Sequence, residues 1–379
     1  MSNLRIAYVI NDVAFFVSHR LPLAISVLEK GGEVCVMTGL NVNTKIENEA
    51  IQILKKNKIK NYRCKFSQAL SNPFNELIGL FQLIIFLRKF RPSTVHSATA
   101  KGNFMASIAC VFIPSVRLIL SVSGLGTMFT GPRTLKKTLI LFIYKLFLRV
   151  SLRKTEHKVI FQNKTDSENF IKIIPIEKSS ISIVPGSGVE TSKYLPSNKR
   201  INKRNVLLPS RVLYEKGVKE FIDASRILKA KNFKANFFIA GDYKSLNPSA
   251  VPKEKIGIWE DDKLVKYLGH QTDMSQLYKR MAIICLPSWR EGFPKAIMEA
   301  SSCGLPVITT NVPGCRDAII KNKTGLLVPI KDPISLAKSI EKLIIDPKLA
   351  KYLGSNGRKL AVEKFDLSNI IPKILKLYK

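Results

Sequence analysis

Acidic residues are scarce in this chain: 28 Asp and Glu stand against 61 Lys and Arg over 379 residues, a formal net charge of +33. No basic tail accounts for it, since residues 1–195 hold 27 basic and 11 acidic side chains and the remainder 34 and 17. A surface so uniformly cationic favours polyanions as partners: nucleic acid, anionic lipid headgroups or diphosphates. Metal-binding side chains are few as well. Four histidines and six cysteines (Cys35, Cys64, Cys110, Cys285, Cys303, Cys315) include no C-x-x-C pair and no zinc spacing. Cys35 and Cys285 sit between aliphatic neighbours, which reads as reduced core thiols of a cytosolic protein and not as a disulfide framework. No run reaches the ~18 uninterrupted apolar residues that a spanning helix needs. A signal peptide is not expected either, because the first apolar run, 6–10, meets Asn11-Asp12 at once. Ordinary glycine and proline use (20 and 19) excludes collagen-like and low-complexity classes, and 46% hydrophobic residues exclude wholesale disorder.

What is present is alternation. Residues 4–10 form a short apolar run suited to a buried parallel strand. Residues 19–30 follow with helical spacing (Leu21, Ala24, Ile25, Leu28) and stop at Gly31-Gly32, and 34–37 is the next strand. The pattern continues through strands at 94–96, 117–122 and 158–161. A second series begins near 205, with strands at 205–208, 235–240, 264–268, 283–286, 306–309 and 325–328 and helices at 218–229 and 294–303. This predicts an α/β protein of two tandem Rossmann-like, doubly wound domains with a ligand cleft between them. The expected divisions are 1–195, a hinge near 191–204, a second domain over 196–355, and a last helix over 356–379 that crosses back to the first domain.

The densest chemistry lies in Trp289-Arg290-Glu291-Gly292-Phe293-Pro294-Lys295-Ala296-Ile297-Met298-Glu299, after an apolar strand and opening a helix. Pro294 suits a first helical turn, and the amides near Gly292 and Phe293 are placed for an anion at a helix N-terminus. Glu299 lies two helical turns beyond Glu291, among small and apolar neighbours, where a carboxylate suits a grip on vicinal hydroxyls such as those of a ribose. Arg211 and Lys216-Gly217 form a second cluster, a strand-to-helix loop whose cations suit a phosphate. A glycine-rich turn, Val184-Pro185-Gly186-Ser187-Gly188, allows close backbone approach but lacks the third glycine of a dinucleotide fingerprint, so NAD is not expected.

In order along the chain, Arg211 with Lys216-Gly217, Phe238-Ile239-Ala240-Gly241-Asp242, Leu268-Gly269 and the Glu291/Glu299 segment resemble retaining glycosyltransferases of family 4, which have the GT-B fold. Ser18-His19-Arg20-Leu21-Pro22, the loop Ser123-Gly124-Leu125-Gly126 and Phe161-Gln162-Asn163 are similar to bacterial enzymes that extend sugars on undecaprenyl diphosphate. The resemblance implies transfer from a nucleotide sugar, a UDP-linked N-acetylhexosamine, to a lipid-linked saccharide acceptor. It implies that Arg211 and Lys216 neutralise the leaving diphosphate, and that Glu291 lies near the transferred sugar. Gly292, Phe293, Pro294, Gly186 and Leu268 would line the donor, and Glu299 would hold the ribose. It implies no metal, in keeping with the lack of an Asp-x-Asp pair, and no other cofactor. Many relatives place a histidine after the fifth strand; here Gly124 and Gly126 stand there and shape the donor or acceptor pocket. Asn11 and His19, near the end of the first strand, are then the candidates for meeting diphosphate or acceptor, with His96 a further histidine at a strand end. His157 and His270 read as peripheral.

Segments 73–92 and 133–154 are apolar with basic rims (Arg88, Lys89, Arg91; Arg153, Lys154); the apolar faces are expected to pack on the first sheet as domain helices, and the rims to meet an anionic membrane surface at the inner face of the cell membrane. Two other readings compete. A UDP-sugar epimerase would need an acid/base pair that four scattered histidines do not supply. A nucleic-acid-binding protein would interleave cations with aromatics along one stripe, whereas here the cations are dispersed.

Overall fold

The computed structural model describes residues 4–40, 44–67, 73–113, 115–124, 135–197, 202–244 and 247–378. Two compact units emerge, one of residues 1–187 with 371–379, the other of residues 188–370. The expected hinge segment thus starts inside the second unit, Gly186 belongs to the first, and residues 356–370 lie with the second.

The first unit is built on seven parallel strands: β1 (Arg5–Ile10), β2 (Glu33–Leu40), β3 (Lys60–Ser67), β4 (Thr94–Ala98), β5 (Arg117–Val122), β6 (His157–Phe161) and β7 (Ile181–Ile183), in the order β3-β2-β1-β4-β5-β6-β7. Both faces are covered, so the central strands read as continuous apolar runs, and Ile6 to Ile10 of β1 are fully buried. Removing side chains of that size from water contributes roughly 1.5–3 kcal/mol each. The chain turns helical at once after β1, over Val13–His19, because the Asp12 carboxylate accepts the Phe15 amide at 2.8 Å and caps it. The sequence reading left 11–16 as a loop and began one helix at His19. The structure instead breaks the helix at Arg20 and restarts it over Leu21–Glu29, with Pro22 in the first turn, where its missing N–H costs nothing.

The second unit has six parallel strands: β8 (Asn205–Pro209), β9 (Asn236–Ala240), β10 (Lys266–Tyr267), β11 (Ile283–Leu286), β12 (Val307–Thr310) and β13 (Gly325–Val328), in the order β10-β9-β8-β11-β12-β13. Only two residues of the expected strand 264–268 pair in the sheet. Val206, Leu208, Ile239, Ile283 and Ile308 meet the helix Val218–Ala230 through Phe221 and Ile222 in one buried core. Strand order reverses between β1 and β4 in the first unit and between β8 and β11 in the second. The carboxyl edge beside such a reversal is where open α/β sheets bind ligands. All six cysteines are buried and unbridged.

Candidate active site

At the reversal in the second unit, two loops meet. One follows β8 (residues 210–217) and the other follows β11 (residues 287–294). Gly217 makes their approach possible: its φ of 76° lies in the left-handed region, and a Cβ there would stand 2.1 Å from the Pro287 carbonyl oxygen. With the loops in register, Lys216 Nζ donates to Glu291 Oε1 at 2.6 Å, and the Ser288 hydroxyl donates to the same oxygen at 2.8 Å. Behind this pair a second one forms, Arg290 Nη2 on Glu215 Oε2 at 2.6 Å, with the Asn247 amide on the other Glu215 oxygen. Burial alone would raise Glu215, but the Arg290 guanidinium, then Lys216 and Asn247, hold it below the usual carboxylate range. The Trp289 indole donates to Glu220 at 3.0 Å and Lys331 lies over its ring, so the loop is fastened on both sides of Glu291.

The segment after Glu291 is held just as closely from β12. Gly314, in the left-handed region at φ 78°, packs so tightly that a Cβ would come within 2.5 Å of the carbonyl oxygens of both Glu291 and Gly292. Gly292 and Phe293 are buried, Phe293 edge-on to Phe365. The helix that follows spans Lys295–Ser302, one residue later than expected, with Pro294 as its cap and no side chain capping it. The Ile297 and Met298 amides turn back onto the Pro294 carbonyl, and the helix dipole favours an anion at this end.

Glu299 lies on the buried face of that helix. The Tyr278 hydroxyl donates to its Oε2 at 3.1 Å, Lys295 Nζ stands 3.5 Å from Oε1, and the Tyr194 ring lies beside that of Tyr278. Burial, then the Glu299 charge, pushes the Tyr278 hydroxyl well above its ordinary range, so it stays a proton donor to the carboxylate. Leu268 is half-buried, its carbonyl accepting from Gln271, and Arg211 is exposed on the loop after β8. Arg211, Lys216, Leu268, Glu291, Gly292, Phe293, Pro294 and Glu299 are thus all in one unit, and the reversal point gathers Lys216 with Glu291. The sequence reading missed Glu215, Arg290, Tyr194, Tyr278 and Gly314. The dipeptide Pro313-Gly314 after a strand was a turn signal for the last of these; nothing marked the two tyrosines.

The other candidates belong to the first unit. Asn11 follows β1, and its side-chain oxygen is buried with no partner among the described residues. His19 stacks on Phe15 (ring centroids 4.3 Å apart) with its Nδ1 2.7 Å from the Ser18 hydroxyl. Gly124 has φ 117°, which favours glycine, and Gly126 lies outside the described residues. Gly186, in the left-handed region at φ 66°, closes the turn after β7. His96 is sealed: its Nδ1 is 2.6 Å from the Tyr378 hydroxyl and its Nε2 2.7 Å from that of Ser121. Burial, then the Arg20 charge, holds it well below the usual histidine range, so it stays neutral. Among the described residues no group of three His, Cys, Asp or Glu side chains is arranged to hold a metal.

Residues 193–360 match the family described as Glycosyl transferases group 1, and residues 5–163 the family described as Glycosyl transferase 4-like. The chain is 28% identical, over 99% of its length and 98% of the relative's, to the N,N'-diacetylbacillosaminyl-diphospho-undecaprenol alpha-1,3-N-acetylgalactosaminyltransferase of Campylobacter jejuni. It is 27% identical, over 82% of its length and 80% of the relative's, to the UDP-Gal:alpha-D-GlcNAc-diphosphoundecaprenol alpha-1,3-galactosyltransferase of Escherichia coli. The crystal structure of Anabaena HepE in complex with UDP-glucose superposes with a TM-score of 0.77 at 17% identity, covering 98% of both chains, which is a likeness of fold.

Proposed function

The chain is a glycosyltransferase of the GT-B fold, with a group 1 domain following a 4-like domain, and on that premise we propose that it moves an N-acetylhexosamine from a UDP-sugar to a polyprenyl-diphosphate-linked saccharide with retention of anomeric configuration. The observation that carries this reading is the Lys216–Glu291 pair at the sheet's carboxyl edge. An ion pair of 2.6 Å parks the lysine until a diphosphate, with more negative charge than one carboxylate, competes for it. Arg211, exposed on the same loop, then meets the diphosphate from solvent. As the sugar–phosphate bond breaks, charge grows on the departing oxygen, and cations already in position stabilise it without reorganising. The acceptor hydroxyl forms the new bond, and its proton passes to the departing phosphate oxygen. Glu291, released from Lys216, faces the sugar hydroxyls. Glu299, aimed by Tyr278, accepts hydrogen bonds from the ribose. Lys216 and Arg211 take the part a divalent ion plays elsewhere, so transfer needs no metal.

The two curated relatives are named for undecaprenyl-diphosphate-linked acceptors, at 98% and 80% of their own length, and this supports a lipid-linked acceptor and work at the inner membrane surface. No helix among the described residues is long and apolar enough to cross a membrane. The test is turnover on a panel of UDP-, GDP- and ADP-sugars with polyprenyl-diphosphate saccharides, products analysed by mass and anomeric configuration, with and without EDTA. Transfer confined to UDP-N-acetylhexosamines, retained, and indifferent to EDTA is expected. Transfer only from another nucleotide, inversion, or collapse on chelation overturns the corresponding part.

A further inference from the structure

The first unit carries a second concentration of chemistry, at the opposite, amino-terminal edge of its sheet. A cavity of about 980 Å³ opens there between the end of the helix Leu135–Lys154 and the start of β6. Four cations line it: Arg149, Arg153, Lys154 and Lys158. Arg149 and Lys158 each give one N–H to a neutral carbonyl, of Ile173 and Ser179. Among the described residues none of the four is ion-paired. Of the two carboxylates on the lining, Glu156 is paired with Arg117 at 2.7 Å, and Glu177 accepts from the Ser179 hydroxyl of the same wall. Two further polar atoms on the wall, Thr155 Oγ1 and His157 Nε2, are buried without a partner among the described residues. His157 Nδ1 lies 3.0 Å from the Thr155 carbonyl, which can only accept, so Nδ1 carries the proton and Nε2 is the nitrogen left over. Nε2 then bears the lone pair and accepts only, so the donors that an oxyanion meets here are the four cations and the Thr155 hydroxyl, a buried group that is costly to leave unbonded.

The helix leading into the cavity says which oxyanion. Leu139, Phe142, Ile143, Leu146, Phe147 and Val150 recur at helical spacing, and all six are exposed, Phe142 at 63%, so this apolar face does not pack on the sheet as its sequence led one to expect; the helix has more apolar residues than one buried face can take. The opposite face, Tyr144, Leu148 and Leu152, fills the core. Continued by the same spacing, the exposed stripe runs into Arg153 and Lys154 at the cavity. The helix holds no Asp or Glu at all. The helix Pro73–Phe90 is alike, exposing Phe74, Leu77, Phe81 and Ile85 and ending in Arg88 and Lys89. Exposed apolar area on this scale marks an interaction site. A second copy would bring like charge against like, whereas an anionic bilayer supplies both hydrocarbon for the stripe and phosphate for its basic end.

We propose that this cavity seats the phosphate headgroup of an anionic phospholipid while the exposed stripe of the helix Leu135–Lys154 lies in the adjoining acyl region, docking the first unit on the membrane. The inference rests on the proposed lipid-linked acceptor only for the presence of a membrane; its chemistry is separate from the donor site. The probe is vesicle co-sedimentation of the full chain at physiological salt, phosphatidylglycerol/phosphatidylcholine against phosphatidylcholine alone. Strong partition to the anionic vesicles is expected, with a loss of about tenfold or more on reversing both Arg153→Glu and Lys154→Glu, since each cation contributes about fivefold near such a surface. Phe142→Ser should weaken partition further, and UDP binding by calorimetry should be unchanged in all variants. Equal partition to both vesicle types, or no change on charge reversal, overturns the proposal without touching the donor reading. Two other results do the same: displacement from vesicles by inorganic phosphate as effective as by excess lipid, which makes this a free-phosphate site, and a vesicle-free dimer that Phe142→Ser abolishes. The wild-type comparison stands even if a variant fails to fold.

Discussion

The two units solve the same topological problem and finish it differently. Each reverses strand order beside its first strand, β1 against β4 and β8 against β11. In the second unit the reversal point is a set of half-buried ion pairs, Lys216 on Glu291 and Arg290 on Glu215, on loops at the sheet edge. In the first, the side chains of the reversing strands turn into a sealed network. Tyr8 of β1 bonds the Tyr378 hydroxyl at 3.0 Å, Tyr378 bonds His96 of β4, and His96 bonds Ser121 of β5. Arg20 is buried beside them, donating to the His19 carbonyl, with no carboxylate bonded to it among the described residues. Exchangeable charge pairs can trade a partner for a ligand, while buried hydroxyls bonded to one another cannot. Topology therefore selects the place, and the side chains decide whether it binds.

This contrast can be broken at either end. Lys216→Ala should cut the transfer rate by on the order of 10²–10³, the usual effect of losing one charge-stabilising group; steady-state kinetics showing under about threefold would remove the lysine from the diphosphate. On the other side, Tyr378→Phe strands a buried His96 nitrogen and the Tyr8 hydroxyl. A loss of about 1–3 kcal/mol in thermal or denaturant unfolding is expected, with kinetics per folded molecule unchanged. A variant as stable as the parent would mean the network is not sealed. Between these lies Glu299→Ala, which should raise the Michaelis constant for the donor severalfold more than it lowers turnover at saturation, as the loss of a ribose grip requires.

Acid should separate the units as well. His96 is held below its ordinary value of 6.5, so the unfolded chain takes up that proton first; the stability it contributes is complete above pH 6.5 and drains as pH falls from there. Glu215 is held below its ordinary value of 4.5, so its contribution is complete above pH 4.5 and is lost only below it. Hydrogen exchange along a pH series should show the first unit loosening before the second. The reverse order would count against a neutral, buried His96.

Much of this was legible in the residues. Apolar runs of five or six followed by helical spacing named most of the strands, because a strand covered on both faces has to be apolar throughout. The Glu291 and Glu299 spacing and the Arg211/Lys216 loop were readable for a similar reason, since charge after an apolar strand has no packing role to explain it. The helix over Val13–His19 was not, because its start depends on one Asp12 hydrogen bond that no periodicity announces. His96 reads as a candidate in sequence and proves sealed, since the residue that closes it is 282 positions away.

By itself the sequence determined the parallel two-sheet architecture, the cationic character and the loops that carry chemistry, because local periodicity and charge are written in consecutive residues. Only the tertiary structure decided which charges meet: Lys216 with Glu291 across 75 positions, Gly314 against the Glu291 backbone, and the apolar stripe of Leu135–Lys154 left uncovered. Pairing and exposure depend on what the rest of the chain brings alongside, and that is a property of distance in space, which spacing along the chain does not contain.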